Sequence, residues 1–442
     1  MFNFTAKFLV KADDLERTEP ATSGEVGSSG SGFESLNGFT VQTLDSFVKS
    51  GSVKTADSYD DDDVVPEEDP KKGKRPQPKD KKKKKEEPEE EKPDFGLGAK
   101  HRPLSDEEMG DYVNRIKDKT KTKTDPYTMP YIHQKNIKIV DGSNNEYDLK
   151  ELKASIMKRP TTLLKQNEKM QHSDGTATQY YNIGLPALKG LAVNEKTGEF
   201  VVVDTCPGSG ACKTYCYAMK SSYIMFEAVS MSQTRILNFL LNDPKRFAAI
   251  LKADIASAII KNEVDGNDVV IRWHDAGDFF SPQYTELAFD IARAFPDNTF
   301  YAYTKIADVA KAQKPDNFII NFSEGALPAE SKKINMTQIK HGVVVQKDMF
   351  WDLIARKGNT LIKENGQTAF KDKEAWNEFK DRIVAKYKIK KDTILSYNQY
   401  MRMKQSGMLG DTPHKWNVVV PPGGGDNSAN DPLVLGSYLM FH

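Results

Sequence analysis

Cysteine is the scarcest informative residue in this chain of 442 amino acids, with only three copies. They are Cys206, Cys212 and Cys216, and all lie within the stretch TCPGSGACKTYCYAMK. An odd number of cysteines excludes a simple disulfide framework, which would also need a secreted protein. The opening MFNFTAKFLVKADDLE is too polar for a signal peptide. We therefore expect a protein of a reducing compartment, the cytoplasm.

The sequence also lacks long apolar runs and an excess of charge of either sign. No run approaches the roughly 18 apolar residues that a membrane helix needs, so no membrane contact is expected. The 63 basic and 63 acidic residues give a formal net charge of zero. Overall charge therefore identifies no partner, and the oligomeric state stays open.

Apolar residues are missing from much of the first hundred positions. Residues 60–69 are mostly acidic, residues 71–85 are mostly basic, and EEPEEE follows directly. Such blocks have little to bury, so we predict a largely disordered tail over residues 1–100. The run from Lys71 to Lys85 is either a nucleic-acid contact or a solvated linker that its acidic neighbours neutralise.

From about residue 199 onward, strand patterns and helix patterns alternate. EFVVVDT, DVVIRWH, TFYAYTK, NFIINFS, HGVVVQ, KWNVVV and VLGSYLMFH have the composition of buried strands. Asp243 and Ser281 are predicted N-caps, because each precedes a proline and an apolar helical period. The alternation predicts an α/β fold with parallel strands, either a barrel or an open sheet.

Ligands of parallel α/β folds bind at the carboxyl ends of the strands. Five segments are predicted to meet at that edge of the sheet. They are the cysteine stretch, residues 274–278, Lys305, residues 321–325 and residues 423–426.

Three sulfurs in one stretch indicate a metal or cluster site. A four-iron cluster held by three thiolates keeps one iron open, whereas a structural zinc needs a fourth ligand such as His274. The alternative is that the three cysteines are reduced, bind no metal and only contribute to the structure. A cysteine nucleophile with His274 and Asp275 or Asp278 would leave two cysteines unexplained.

Several polar residues at the strand ends have both a functional and a structural interpretation. Strand alternation predicts that Arg272 and His274 share a face, where they would bind a substrate anion. The alternative is a buried arginine paired with a core acid such as Asp278. Lys305 either binds an anion or reaches solvent. Tyr301 and Tyr303 favour packing.

Four stretches together resemble an uncharacterised family of tailed-phage proteins. They are CPGSGACKTYCYAMK, IRWHDAGDFFSPQY, FYAYTK and GGGDNSANDPLVLGSYLMFH. This family is in turn distantly similar to radical S-adenosylmethionine (SAM) enzymes. Cys206 and Cys212 are separated by five residues and Cys212 and Cys216 by three, where those enzymes usually have three and two.

The resemblance implies a site for a four-iron cluster and SAM. The three cysteines would hold the cluster, and Asp278 would take the SAM amino group. The remaining cofactor contacts would be Tyr215 near the adenine, Gly277 in the amino-group loop, Asn321 or Ser323 at the ribose, and Gly423 and Gly424 in close backbone approach. Asp278, His274, Arg272 and Lys305 are the candidate catalytic residues.

The resemblance further implies a partial (β/α) barrel of about six parallel strands. Residues 199–346 and 412–442 would form the barrel, residues 101–198 an extension packed on it, and residues 347–411 a helical insertion. The implied activity is generation of a 5′-deoxyadenosyl radical in the host cytoplasm, with a nucleotide or nucleic acid as one candidate substrate. The alternative is a non-catalytic iron–sulfur or zinc protein that binds nucleic acid or a host protein.

Overall fold

The computed structural model describes residues 95–110, 138–139, 147–166, 177–219, 223, 226–358, 360–364, 367–422 and 426–440. The predicted tail, including Lys71 to Lys85, lies outside these residues except for residues 95–100. Those six residues belong to the fold, since Ala99 is buried and Gly96 N donates to Leu241 O over 3.2 Å.

The described residues contain seventeen strands, several of them only two residues long. In chain order they are β1 (His101–Pro103), β2 (Lys138–Ile139), β3 (Tyr147–Asp148), β4 (Thr178–Ile183), β5 (Lys189–Asn194), β6 (Glu199–Asp204), β7 (Asp268–Trp273), β8 (Thr299–Thr304), β9 (Phe318–Ser323), β10 (His341–Val345), β11 (Arg356–Lys357), β12 (Thr360–Leu361), β13 (Lys363–Glu364), β14 (Gln367–Thr368), β15 (Ile394–Ser396), β16 (Trp416–Val420) and β17 (Val434–Met440).

Eight helices can be assigned definite bounds within the described residues. They are α1 (Lys150–Met157), α2 (Glu227–Asn242), α3 (Pro244–Glu263), α4 (Pro282–Arg293), α5 (Ala307–Ala310), α6 (Pro328–Ser331), α7 (Lys373–Tyr387) and α8 (Tyr397–Gln405). Both predicted N-caps are confirmed: the Asp243 side chain accepts from Arg246 N, and the Ser281 side chain accepts from Tyr284 N. No helix in these parts of the chain has the length and apolar character needed to cross a bilayer.

An eight-stranded sheet organises the fold, in the order β15-β16-β17-β10-β9-β8-β7-β4. Every neighbouring pair is parallel, which confirms the predicted α/β class. The sheet is open, with β4 and β15 at its edges, and it has eight strands where about six were expected. The extra strands are these two edges, since β4 lies in the expected extension and β15 in the expected helical insertion.

Residues 199–204 form a strand as predicted, but β6 is not the first strand of the parallel sheet. It pairs antiparallel with β5 and β1 in a separate three-stranded sheet. The reason is local: β5 and β6 are joined by a tight turn in which Gly198 N donates to Asn194 O over 2.7 Å, with Gly198 at φ 72°. A hairpin closes more readily than a crossover connection.

The expected helical insertion, residues 347–411, is only partly helical. Two short hairpins, β11–β12 and β13–β14, precede α7, and β15 precedes α8. The strand β15 pairs in parallel with β16, so this segment completes one edge of the main sheet.

The two faces of the sheet differ in chemistry. One face, here called the helix face, carries Ile271 and Trp273 into the large apolar core that includes residues of α2, α3 and α4. The opposite face, here called the inner face, carries Val270 and Tyr301, which pack with Tyr180 and Ala429. Strand alternation explains the separation, because neighbouring side chains point to opposite sides.

A short segment on the inner face, residues 426–431, links the two edges of the open sheet. The Asn427 side chain accepts a hydrogen bond from Tyr180 Oη on β4 and donates one to Tyr397 Oη over 3.0 Å. Tyr397 directly follows β15. We call residues 426–431 the bridging segment: side chains connect the edges that strand pairing leaves apart.

Candidate functional site

The cysteine loop, residues 205–216, begins where β6 ends and lies against the carboxyl ends of β8 and β9. Gly210 N and Cys212 N donate to Gly325 O over 3.0 and 3.1 Å, and Leu327 N donates to Gly208 O over 2.9 Å. The predicted meeting of the cysteine stretch with residues 321–325 is therefore observed. Backbone hydrogen bonds fix the loop, so its position does not depend on exposed side chains.

Three glycines permit this close approach. A Cβ atom would lie within 3.0 Å of Lys305 O at Gly208, of Ala326 O at Gly210 and of Tyr215 Oη at Gly325. Gly325 also has φ 84°, a conformation that side chains disfavour. Glycine at these positions lets the cysteine loop run directly along the strand ends.

The three thiols lie in one neighbourhood. Cys212 is buried, and Cys206 and Cys216 are partly buried. Burial is the main cause that raises the pKa of Cys206 and Cys216, and the nearby Lys305 ammonium acts in the opposite direction. A negative charge on Cys216 would raise the pKa of Cys206, and one on Cys212 would raise the pKa of Cys216, so the three sulfurs lie within electrostatic range of one another. Leu188 N donates to Cys206 Sγ over 3.2 Å.

A metal or cluster with three cysteine ligands fits this neighbourhood in donor chemistry. Three thiols on a backbone-anchored loop are the donor set that a four-iron cluster with one open iron uses. Among the described residues, no three His, Cys, Asp or Glu side chains already stand together as a metal-binding group. Ligation therefore requires the thiols to turn toward a common centre.

Lys305 and Ser323 lie beside the thiols, at the ends of β8 and β9. Lys305 Nζ donates to Ser323 Oγ over 2.9 Å. Both were predicted site residues, and the structure brings both into the cysteine neighbourhood. A cation at this position favours negative charge on the sulfurs or on a group bound to them.

Asp278 is buried and joins three segments of the site. Its carboxylate accepts from Phe279 N over 2.7 Å, from Thr304 Oγ1 over 2.7 Å and from Lys305 N over 2.8 Å. Its backbone N donates to Thr205 O over 2.9 Å. These contacts are those of a residue that holds the cysteine loop and β8 together.

Arg272 and His274 do not share a face, contrary to the expectation from alternation. The Arg272 guanidinium lies 5.4 Å from the ring centre of Tyr303 on the inner face. His274 is buried on the other side, where Nε2 is 2.7 Å from Tyr284 Oη and the ring packs against Phe279. The cause is the left-handed backbone of His274, φ 70°, which breaks the period at the strand end.

The electrostatic surroundings of Arg272 also differ from the expected core pair. Its charge acts on Asp275, whose pKa is raised mainly by burial and lowered by Arg272. Tyr223 Oη donates to Asp275 Oδ2 over 3.1 Å. The acid beside Arg272 is therefore Asp275 rather than Asp278.

Because His274 is buried, the stability of the fold should depend on pH. Burial, followed by the Arg272 charge, lowers the pKa of His274 to about 3. In the unfolded chain the imidazole takes up a proton near pH 6.5. The folded state therefore becomes less stable as the pH falls from about 6.5 toward 3. Urea unfolding should show that the free energy of unfolding of the wild type falls by about 2 kcal/mol more between pH 7 and pH 5 than that of His274→Asn does. Asparagine tolerates the left-handed backbone, and an equal loss in both proteins would contradict the assignment.

The remaining predicted cofactor residues are distributed as follows. Tyr215 closes the cysteine loop, and burial raises its pKa to about 12. Gly277 has φ 87°, and a Cβ there would lie 2.7 Å from Leu185 Cβ, so the loop geometry itself requires glycine. Asn321 is buried, and its Nδ2 donates to Ala302 O and Ala429 O. Gly423 and Gly424 lie outside the described residues.

Glu324 and Tyr387 are site residues that the sequence analysis did not single out. Tyr387 Oη donates to both carboxylate oxygens of Glu324 over 3.4 Å, and burial raises the pKa of Glu324. Glu324 had a signal, since it stands between Ser323 and Gly325 at a strand end. Tyr387 had none, because it comes from α7, far along the chain.

A cleft of about 540 Å³ lies elsewhere, against the three-stranded sheet. Residues 103–109, 149–153 and 198–200 contribute its lining. It shares no residue with the cysteine loop. Convergence of the strand ends, rather than cavity size, therefore identifies the candidate site.

Comparison with known proteins gives one assignment. No curated protein and no solved structure gives a significant match. A family model described as Gene product 88 matches residues 161–401, which include the cysteine loop, β7, β8 and β9. Because the match covers more than half of the chain, the protein belongs to the gene product 88 family, a phage protein family.

Proposed function

We propose that this chain is an iron–sulfur enzyme of the radical SAM type, with Cys206, Cys212 and Cys216 as cluster ligands. The observation that carries the proposal is the docking of the cysteine loop on the ends of β8 and β9. It puts three thiols and the Lys305 ammonium at the edge where parallel α/β folds bind ligands.

When bound, a four-iron cluster would supply the electron that cleaves SAM to methionine and a 5′-deoxyadenosyl radical. The chain's own residues hold and shield that chemistry. The backbone contacts to Gly325 keep the cysteine loop in place, and Asp278 ties it to β8. Lys305 offers positive charge next to the sulfurs, and the buried Cys212 limits access of water.

One observation favours a second candidate, a non-catalytic cluster or zinc protein. The Asp278 carboxylate accepts three hydrogen bonds from the chain itself, so a SAM amino group would have to compete for it. In that case the function would be binding to nucleic acid or a host protein, with Lys71 to Lys85 as one contact. His274 Nε2 contacts Tyr284 Oη over 2.7 Å, whereas Nδ1 has no hydrogen-bond partner among the described residues, so zinc ligation by His274 would use Nδ1.

Metal analysis and electron paramagnetic resonance distinguish these candidates. The full chain is purified without oxygen, its iron, sulfide and zinc are measured, and the reduced spectrum is recorded with and without SAM. We expect about four irons per chain, as a four-iron cluster requires, and a signal that changes on adding SAM. Stoichiometric zinc without iron would reject the iron–sulfur proposal.

Matched variants identify the ligands. Cys212→Ser should remove the cluster signal, because serine replaces a thiolate that the iron requires. Thr214→Ala lies in the same turn and removes only a hydroxyl that donates to Ala211 O. It should keep the full iron content. Iron that persists in Cys206→Ser, Cys212→Ser and Cys216→Ser alike would show that the cysteines are not the ligands. A cluster signal that does not change when SAM is added would favour the non-catalytic candidate.

A further inference from the structure

The inner face carries a continuous group of polar and aromatic side chains next to the cysteine site. Asn182, Arg272 and Tyr301 are opposite one another on β4, β7 and β8. Two residues further toward the carboxyl end of β8, Tyr303 is opposite Asn321 on β9. Their chain neighbours Ile183, Trp273, Ala302 and Ile320 lie in the core on the helix face. We call Asn182, Arg272, Tyr301, Tyr303 and Asn321 the inner-face row.

Two acceptors in the inner-face row are buried without a partner among the described residues. Asn182 is 3% exposed and Asn321 is fully buried, yet neither side-chain oxygen has a hydrogen bond to any part of the chain that the structure describes. The Asn321 amide has a defined orientation, because its Nδ2 donates to Ala302 O over 3.2 Å and to Ala429 O over 3.0 Å. Leaving an acceptor unpaired in a buried position is unfavourable, because its hydrogen bonds to water are lost and not replaced. Native proteins usually satisfy such groups with water or a ligand.

Two cations lie next to these acceptors. The Arg272 guanidinium is oriented by a hydrogen bond from Nε to His274 O over 3.2 Å and by the ring of Tyr303. Lys305 adds a second cation at the end of β8. The acids nearest these cations in the site are Asp275, beside Tyr223, and Glu324, beside Tyr387, and burial raises the pKa of both carboxyl groups. The two cations therefore suit a ligand with an anionic group.

We propose that the inner-face row binds a nucleoside phosphate whose base carries an exocyclic amino group. The neutral amide oxygens of Asn182 and Asn321 match an amino N–H, whereas an ammonium group would be expected to meet carboxylates. Tyr301 is packed inside the fold, so the partly buried ring of Tyr303 is the one on which a base would stack. Arg272 and Lys305 match a phosphate.

That this nucleotide is the substrate of an enzyme rests on the proposed function, whereas its binding to the row does not. SAM carries an adenine but no phosphate, and its sulfonium is positive. Arg272 and Lys305 therefore favour a nucleotide over SAM at this row. Binding is measured separately from iron and turnover, so either proposal can fail alone.

The test is calorimetric titration of the full chain with AMP, IMP, adenosine, inorganic phosphate and SAM. AMP should bind about tenfold more tightly than IMP, which lacks the amino group, since one hydrogen bond to a buried acceptor is worth about 1.4 kcal/mol. Arg272→Gln should weaken AMP about tenfold or more and leave adenosine unchanged. The control Arg293→Gln, on an exposed part of α4, should bind AMP like the wild type.

Three outcomes would overturn the nucleotide proposal. One is equal affinity for AMP and inorganic phosphate, which would show a simple anion site. Another is displacement of AMP by SAM at lower concentration, which would assign the row to the cofactor. The last is no binding of AMP at millimolar concentration. If Arg272→Gln fails to fold, Asn182→Leu tests the same row, and it should reduce the preference for AMP over IMP, because one of the two amide acceptors is removed.

Discussion

Asp278→Ala should lower the free energy of unfolding by about 4 kcal/mol, the largest effect we expect from one polar substitution. Alanine removes the acceptor of three hydrogen bonds and leaves the donors of Phe279, Thr304 and Lys305 buried without partners. Each unsatisfied donor costs about 1–3 kcal/mol, partly relieved when water enters. Urea unfolding measures the change.

The matched control is Asp290→Ala, because this carboxylate is exposed and pairs with the surface side chain of Arg293. It should change the unfolding free energy by less than about 0.5 kcal/mol. Asp278→Asn should fall between the two, since the amide oxygen still accepts but its nitrogen cannot. A loss at position 278 no larger than at position 290 would show that this carboxylate does not hold the loop and β8 together.

Gly210→Ala should displace the cysteine loop, lower stability and lower the iron content of the proposed cluster. The new Cβ would lie within 3.0 Å of three backbone atoms, Ala326 C, Ala326 O and Leu327 N, none of which can rotate away. Forcing a methyl group into such a contact typically costs about 1–3 kcal/mol. Moving the loop also weakens the hydrogen bond from Gly210 N to Gly325 O. We expect a loss of about 3 kcal/mol in urea unfolding and less than half of the wild-type iron.

Gly110→Ala is the control for a glycine replacement. Gly110 lies in a helical segment, and a Cβ there would meet nothing within 4 Å. Alanine should leave the iron content unchanged and raise stability by up to about 1 kcal/mol, because it is the better helix former. Equal effects at positions 110 and 210 would mean that the contact with Ala326 does not matter.

Local signals predicted much of the fold. The two N-caps were correct because Asp243 and Ser281 each precede a proline, and their side chains cap the helices. The strands β7, β8, β9, β10, β16 and β17 were predicted from buried apolar runs. Convergence of Lys305 and Ser323 with the cysteine loop followed from the carboxyl-end rule for parallel sheets.

The errors share a physical cause, competition between local and distant pairing. The strand β6 has the apolar run of a central strand, but its turn to β5 favours a local hairpin. The edge strand β15 is three residues long and gives almost no signal of its own. His274 left its expected face because one left-handed residue reverses a pattern of period two.

The order of strands in the sheet has a consequence for the biosynthesis of this protein. The last strand, β17, lies between β10 and β16, so the interior of the sheet includes the last described residues of the chain. While the ribosome still holds these residues, β10 lacks one neighbour, and β15 with β16 has nothing to join. The half of the sheet that contains β4, β7, β8 and β9 can pair earlier, together with the cysteine loop. The candidate site therefore lies in the half of the sheet that the ribosome completes first, and the bridging segment can link the two edges only after β15 has been synthesised.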